Sequence, residues 1–237
     1  MNQARNNHYT HLFFDLDHTL WDFEANARAT LDELHRTLNL GDRGILDFNQ
    51  FHKNYLAHNE KLWDRYRKGY IKQEELRVKR MTLALLDFKI YDEALAKDLS
   101  TQFLDLLPTR TRLFPHTKEI LDYLTVKGYQ LHLITNGFQK TQHSKLKYSG
   151  LSGYFKEVIT SEGSNSLKPE KEIFEFALKL TGASTQESIM IGDSIEVDIL
   201  GAKNAGIDQV FVDHLQVDET RPGTYNVRSL KELEEIF

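Results

Sequence analysis

A chain of 237 residues with 40% hydrophobic side chains is long enough for one large α/β domain, or for a core carrying a second, inserted domain. Its 35 acidic against 30 basic side chains give a formal net charge of -5, which leaves no electrostatic footprint for a nucleic-acid polymer; zero cysteines exclude disulfides, thiolate metal sites and a cysteine nucleophile. Any metal must use oxygen or imidazole ligands, residues 1–7 are polar rather than signal-like, and no apolar run approaches a membrane span, so a cytoplasmic protein without a membrane partner is expected.

The first buried strand is expected over 12–14, and it delivers the cluster Asp15-Leu16-Asp17-His18-Thr19-Leu20. Strand ends are where α/β sheets hold their chemistry, and an aspartate there can attack phosphorus through an acyl phosphate while a neighbour handles protons. The same Asp-x-Asp pattern also serves as a turn or helix cap. His18 has no second histidine at a ligand spacing and reads as a spacer. Residues 22–107 follow, rich in Leu, Glu, Lys, Arg and aromatics and without proline, and they read as several helices joined by short turns. More than a hundred residues separate the first strand from the second, too many for a crossover, so 22–108 is expected to be a helical cap domain inserted into a core made of 8–21 and 109–237. Pro108 and Pro115 mark the return. The run Asp64-Arg65-Tyr66-Arg67-Lys68 reads as a solvated helix face.

Buried strands are then expected over 130–134, 157–160, 188–191 and 209–212, with helical spacing over 118–127, 141–149, 171–180 and 195–205; the alternation predicts a doubly wound parallel sheet. The second strand ends in Thr135-Asn136-Gly137, whose hydroxyl and amide could donate to a phosphate oxygen or merely cap a helix with a Gly turn. Lys168-Pro169 precedes a helix, and a lysine there could neutralise a carboxylate and a phosphate together. The fourth strand runs into Gly192-Asp193-Ser194-Ile195-Glu196-Val197-Asp198. Asp193 sits as Asp15 does, at a strand end; hard oxygen ligands from two strand ends suit Mg²⁺, with Asp198 one turn on in support, although Asp193 could equally cap the next helix.

Taken in order, Asp15-x-Asp17-x-Thr19, Thr135-Asn136, Lys168-Pro169 and Gly192-Asp193-Ser194 with Asp198 resemble the haloacid dehalogenase-like hydrolase superfamily over nearly the whole chain. The resemblance implies a Rossmann-like core with a helical cap after the first motif. It implies Asp15 as nucleophile and Asp17 as general acid/base, Thr135 and Asn136 as phosphate-binding, and Lys168 holding the phosphoryl group against Asp15. It further implies Mg²⁺ on the Asp15 carboxylate, the Asp17 backbone carbonyl and the Asp193 carboxylate, with Asp198 in the outer shell. An aspartate at position 17 favours phosphomonoester hydrolysis over dehalogenation. The stretches 15–23, Leu62-Trp63, Gly69-Tyr70-Ile71 and Glu74-Glu75-Leu76, with 192–201, resemble the pyrimidine 5′-nucleotidase subfamily, which implies a small nucleoside monophosphate as substrate. Sugar-phosphate or phosphoglycolate hydrolysis, a phosphomutase and a non-catalytic binding protein are the alternatives. Trp21, Phe23 and Trp63 could stack a base or belong to the core. The turn Lys68-Gly69-Tyr70 resembles the family's cap loop, which implies Lys68 and Tyr70 in substrate discrimination.

Overall fold

The computed structural model describes residues 9–216 and 220–237, so the polar stretch 1–7 and the expected first core residue, 8, lie outside the described residues. The chain divides into two compact units. One takes in the described residues up to Phe23 together with Thr111–Phe237, and the other is Glu24–Arg110.

In the first unit, β1 (His11–Phe14) is buried at all four positions, as a strand covered on both faces must be. The helices of the second unit, α1 (Phe23–Thr37, beginning at the junction), α2 (Phe48–Arg67), α3 (Gln73–Leu86) and α4 (Glu93–Leu106), come next in the chain. The core resumes with α5 (Thr117–Val126), β2 (Gln130–Thr135), α6 (Gln139–Ser149), β3 (Glu157–Thr160), the single turn α7 (Ser161–Ser164), α8 (Lys171–Thr181) and β4 (Ser188–Gly192). After a π-type turn over Ile195–Leu200 come α9 (Gly201–Asn204), β5 (Asp208–Val212) and β6 (Tyr225–Val227).

The six strands form one sheet in the order β3-β2-β1-β4-β5-β6, parallel at every pairing. The chain winds outward from β1 through β2 to β3, then crosses back to β4 on the other side of β1. That reversal puts the topological switch point at the carboxyl ends of β1 and β4, the place where doubly wound sheets bind their ligands. Phe14 is level with Leu133 on β2 and Ile191 on β4, and the Asp15 N–H donates to the Ile191 carbonyl at 2.9 Å. Asp15 therefore leaves the sheet beside Gly192 with its backbone fixed. Below it, Phe13, Ile134, Ile159 and Met190 pack against Ile173, Phe174 and Ala177 of α8. Burying such side chains stabilises the sheet by roughly 1.5–3 kcal/mol each.

Two elements differ from the sequence expectation. β6 is a sixth strand of three residues at the sheet edge, with Tyr225 and Asn226 only half-buried, so it carries no apolar run to read. The expected helix over 195–205 instead opens into the π-type turn before α9. There the Ile199 N–H reaches back five residues to the Ser194 carbonyl, while the Asp198 side chain accepts from the Ser194 N–H at 3.0 Å. Local widening of this kind is common where a helix must aim a side chain at a site.

In the helical unit, Asp47 caps α2 by accepting from the Gln50 N–H and Asp92 caps α4 by accepting from the Leu95 N–H. Phe51, Tyr55, Leu76, Met81, Leu85, Leu99 and Phe103 are buried there. Arg80 is buried with them, over the rings of Tyr55 and Phe103, and donates to Asn59 at 2.9 Å.

Candidate active site

Asp15 sits at the end of β1, and the Lys168 ammonium donates to its Oδ1 at 2.6 Å. The same ammonium donates to Asp198 Oδ1, also at 2.6 Å, and Lys168 is 1% exposed. Lys168 arrives there because Asn136, just beyond β2, clasps its backbone: Asn136 Nδ2 donates to the Lys168 carbonyl at 2.8 Å, and the Lys168 N–H donates to Asn136 Oδ1 at 2.7 Å. Asn136 thus uses one Nδ2 proton and its Oδ1 on the lysine backbone.

Asp193 follows β4 and accepts from the Thr19 hydroxyl at 2.8 Å. The Thr19 carbonyl in turn accepts from His214 Nε2 at 2.9 Å, and that ring lies flat on Phe114, 3.9 Å between centroids. The helix-cap reading does not hold for Asp193, because Ser194 takes that position and its hydroxyl accepts from the Val197 N–H. Nor does Thr135 cap α6; its hydroxyl accepts from the Gly137 N–H at 3.1 Å and from Gln142 at 2.8 Å.

The carboxylate oxygens of Asp15, Asp193 and Asp198 come within 4.8 Å of one another. Burial pushes the Asp15 carboxyl up to about 8; Lys168 pulls against this, and the charges of Asp198 and Asp193 add to it. Asp193 rises to about 7 through burial and then the charge of Asp198. Burial alone would depress the Lys168 ammonium, but Asp15 and Asp198 outweigh it and hold its pKa above the ordinary lysine value. Asp17 behaves oppositely to Asp15. Burial would raise it, yet the Lys145 ammonium, with hydrogen bonds from Lys145 and Gln142, brings it below the ordinary carboxylate value.

Four carboxylates face two ammonium groups, Lys168 and Lys145, so the fully ionised site lacks two positive charges. A divalent cation with a preference for hard oxygen would supply them, and the donor set fits Mg²⁺. Both Asp198 oxygens are engaged, by Lys168 and by the Ser194 N–H, which suits support rather than direct ligation.

Of the aromatic candidates, Trp21 is completely buried with the Lys145 ammonium 4.4 Å from its ring centroid, and Phe23 is buried as well. Neither presents an open face for stacking. Trp63 packs edge-on against Tyr66 within the helical unit. Lys68 ends α2 and pairs with Asp64 at 2.9 Å, and Tyr70 in the following turn is 69% exposed. Thr19 stands inside the Asp15-x-Asp17-x-Thr19 motif with no part implied for it; Gln142, Lys145 and His214 belong to no motif of the sequence. A signal existed for the first two: α6 flanks a sheet, yet Leu146 is the one aliphatic residue among those it buries.

A family model described as haloacid dehalogenase-like hydrolase matches residues 9–206. The chain is 32% identical to the pyrimidine 5′-nucleotidase PynA of Streptococcus pneumoniae, covering 95% of this chain and 93% of that protein. It is 29% identical to the pyrimidine 5′-nucleotidase YjjG of Escherichia coli, over 95% of this chain and 96% of the relative. The crystal structure of the HAD-hydrolase YfnB of Bacillus subtilis, bound to magnesium, superposes with a TM-score of 0.86 at 28% identity, covering 96% and 98% of the two chains. With a parallel sheet whose order reverses beside β1, an acidic cluster at that reversal and a family match across most of its length, the chain belongs to the haloacid dehalogenase-like hydrolases.

Proposed function

We propose that the protein is a Mg²⁺-dependent phosphomonoesterase that works through an aspartyl-phosphate on Asp15, with nucleoside 5′-monophosphates, pyrimidine ones foremost, as substrates. The observation that carries this reading is the cluster of Asp15, Asp193 and Asp198 around Lys168, where charge is arranged for a dication and a phosphate dianion rather than for an uncharged substrate. The metal would be held by Asp15, the Asp17 carbonyl and Asp193, and would neutralise charge on the transferring phosphoryl group. The magnesium bound by the Bacillus subtilis relative supports the choice of metal.

In this reading an Asp15 oxygen attacks phosphorus as the bond from phosphorus to the ester oxygen breaks, and Asp17, ionised beside Lys145 in the free site, takes up a proton from solvent as the substrate dianion enters and passes it to the departing alcohol. A water then attacks the phosphorus of the acyl phosphate while Asp17 takes its proton. Inorganic phosphate leaves and the Asp15 carboxylate is restored. Lys168 holds Asp15 and the phosphoryl oxygens together, Asp198 holds Lys168, and the Thr135 hydroxyl with the Asn136 backbone N–H receives the phosphoryl oxygens.

Preference for nucleotides is supported by the two pyrimidine 5′-nucleotidases, whose similarity runs through the helical unit as well as the core. Discrimination of the base is assigned to Lys68 and Tyr70 of that unit, the proposed cap domain. A panel of UMP, dUMP, purine nucleotides, sugar phosphates and phosphoglycolate, assayed for phosphate release with and without Mg²⁺, tests both levels. UMP and dUMP should lead. Preference for sugar phosphates would discard the nucleotidase reading alone, and no metal-dependent release from any ester, p-nitrophenyl phosphate included, would discard both.

A further inference from the structure

Lys145 and Gln142 stand one turn apart on α6, both buried, and both reach Asp17. Lys145 Nζ donates to Asp17 Oδ1 at 2.6 Å and to Oδ2 at 2.8 Å, beneath the Trp21 ring. Gln142 Nε2 divides its two protons between Asp17 Oδ2, at 2.9 Å, and the Thr135 hydroxyl, at 2.8 Å. Its Oε1 is buried with no hydrogen-bond partner among the described residues. Gly137 leaves room for this side chain, since a Cβ there would fall 1.8 Å from Gln142 Nε2. Nothing in ordinary packing asks for this arrangement. A buried ammonium and an orphaned amide oxygen both oppose folding, and an apolar face on α6 would serve the sheet better.

We propose that Lys145 and Gln142 are positioning residues for the Asp17 carboxyl. They fix its location and rotamer at the end of β1 and tie it to the phosphate-binding Thr135, so that proton delivery to the leaving oxygen starts from a set geometry. This rests on the reading of Asp17 as the acid/base group. Proton transfer needs heavy atoms about 2.6–3.2 Å apart, and a carboxyl released from a two-point clamp samples other rotamers.

The consequence is selective for the leaving group. An alkyl alcohol departs poorly without a proton, whereas p-nitrophenolate departs without one, and kcat/KM reports the steps up to that departure. With the full chain and saturating Mg²⁺, kcat/KM is measured along a series of phosphate monoesters from p-nitrophenyl to alkyl. Lys145→Met is expected to lose about 10²-fold on alkyl esters, the scale of a 1 Å misplacement, and less than about tenfold on the p-nitrophenyl ester. Lys145→Arg should recover most of that loss, and Gln142→Leu and Gly137→Ala should steepen the leaving-group dependence in the same sense. A uniform loss along the series, or a gain on alkyl esters, would overturn the proposal. Should Lys145→Met fail to fold, Gln142→Leu and Gly137→Ala decide it by the same criterion. Asp17→Asn separates the two levels. If its leaving-group dependence is no steeper than that of the unsubstituted enzyme, the acid/base reading of Asp17 fails and this proposal with it; if it is steep while the Gln142 and Lys145 variants stay parallel to the unsubstituted enzyme, the positioning proposal alone fails.

Discussion

At the scale of single residues, the site depends on close approaches that leave no space for a methyl group. A Cβ on Gly192 would fall 2.4 Å from Asp198 Oδ2, so Gly192→Ala should push Asp198 off the Lys168 ammonium. Because Lys168 then loses one of its two anchors, kcat on UMP is expected to fall by about 10²-fold while KM moves only a few-fold. A rate within a few-fold of the unsubstituted protein would contradict the part given to Asp198. Asp15 and Asp193 were legible because each follows a β-rich run, Lys168 because it precedes a proline at a helix start, and Asp198 by its five-residue offset from Asp193. Asn136 was legible as a site residue, but its clasp on the Lys168 backbone was not, since that bond spans 32 positions. Lys145 was hidden for a related reason: a lysine is ordinarily a surface residue, and only its buried contact with Asp17, 128 positions away, says otherwise.

At the scale of elements, β1 and β2 carry a consequence for acid stability. His11 and His132 stack at 5.2 Å, with His11 Nδ1 facing His132 Nε2 at 3.1 Å, so one nitrogen must donate and the other accept. Burial, then the charges of His11 and Lys156, lower His132 from 6.5 to about 4. The unfolded chain therefore takes the proton first. Stability from this group is full above 6.5 and is lost as pH falls toward 4, at up to about 1.4 kcal/mol per pH unit. Urea unfolding between pH 7 and 5 should show this slope in the unsubstituted protein and a shallower one in His132→Leu; equal slopes would contradict it. The buried strands were readable as apolar runs, and the helices as periodic ones. β6 was not, because a short edge strand is defined by pairing with β5 rather than by its own composition. The π-type turn also escaped, since the bond that draws Asp198 inward is made to Lys168, 30 positions away.

At the scale of the molecule, the division at 23/24 and 110/111 separates a unit holding all the acidic site residues from a helical one. Among the described residues no helix is long and apolar enough to cross a membrane. Crowding of Asp15, Asp193 and Asp198 opposes folding of the metal-free core. Saturating Mg²⁺ is therefore expected to raise Tm by about 5 °C, the order given by ligand linkage for a chain of this size. Asp193→Asn should abolish that shift and raise the metal-free Tm, because it removes one of three like charges. A full Mg²⁺ shift in this variant would place the metal elsewhere.

The covalent step is tested most directly by trapping. Enzyme mixed with UMP and Mg²⁺, quenched in acid within one turnover and reduced with borohydride, is digested and sequenced by mass spectrometry. The expected result is conversion of the Asp15 side chain to homoserine, absent without substrate and absent in Asp15→Asn. Reduction at another carboxylate, or full turnover by Asp15→Asn, would contradict the assignment of Asp15 as the nucleophile.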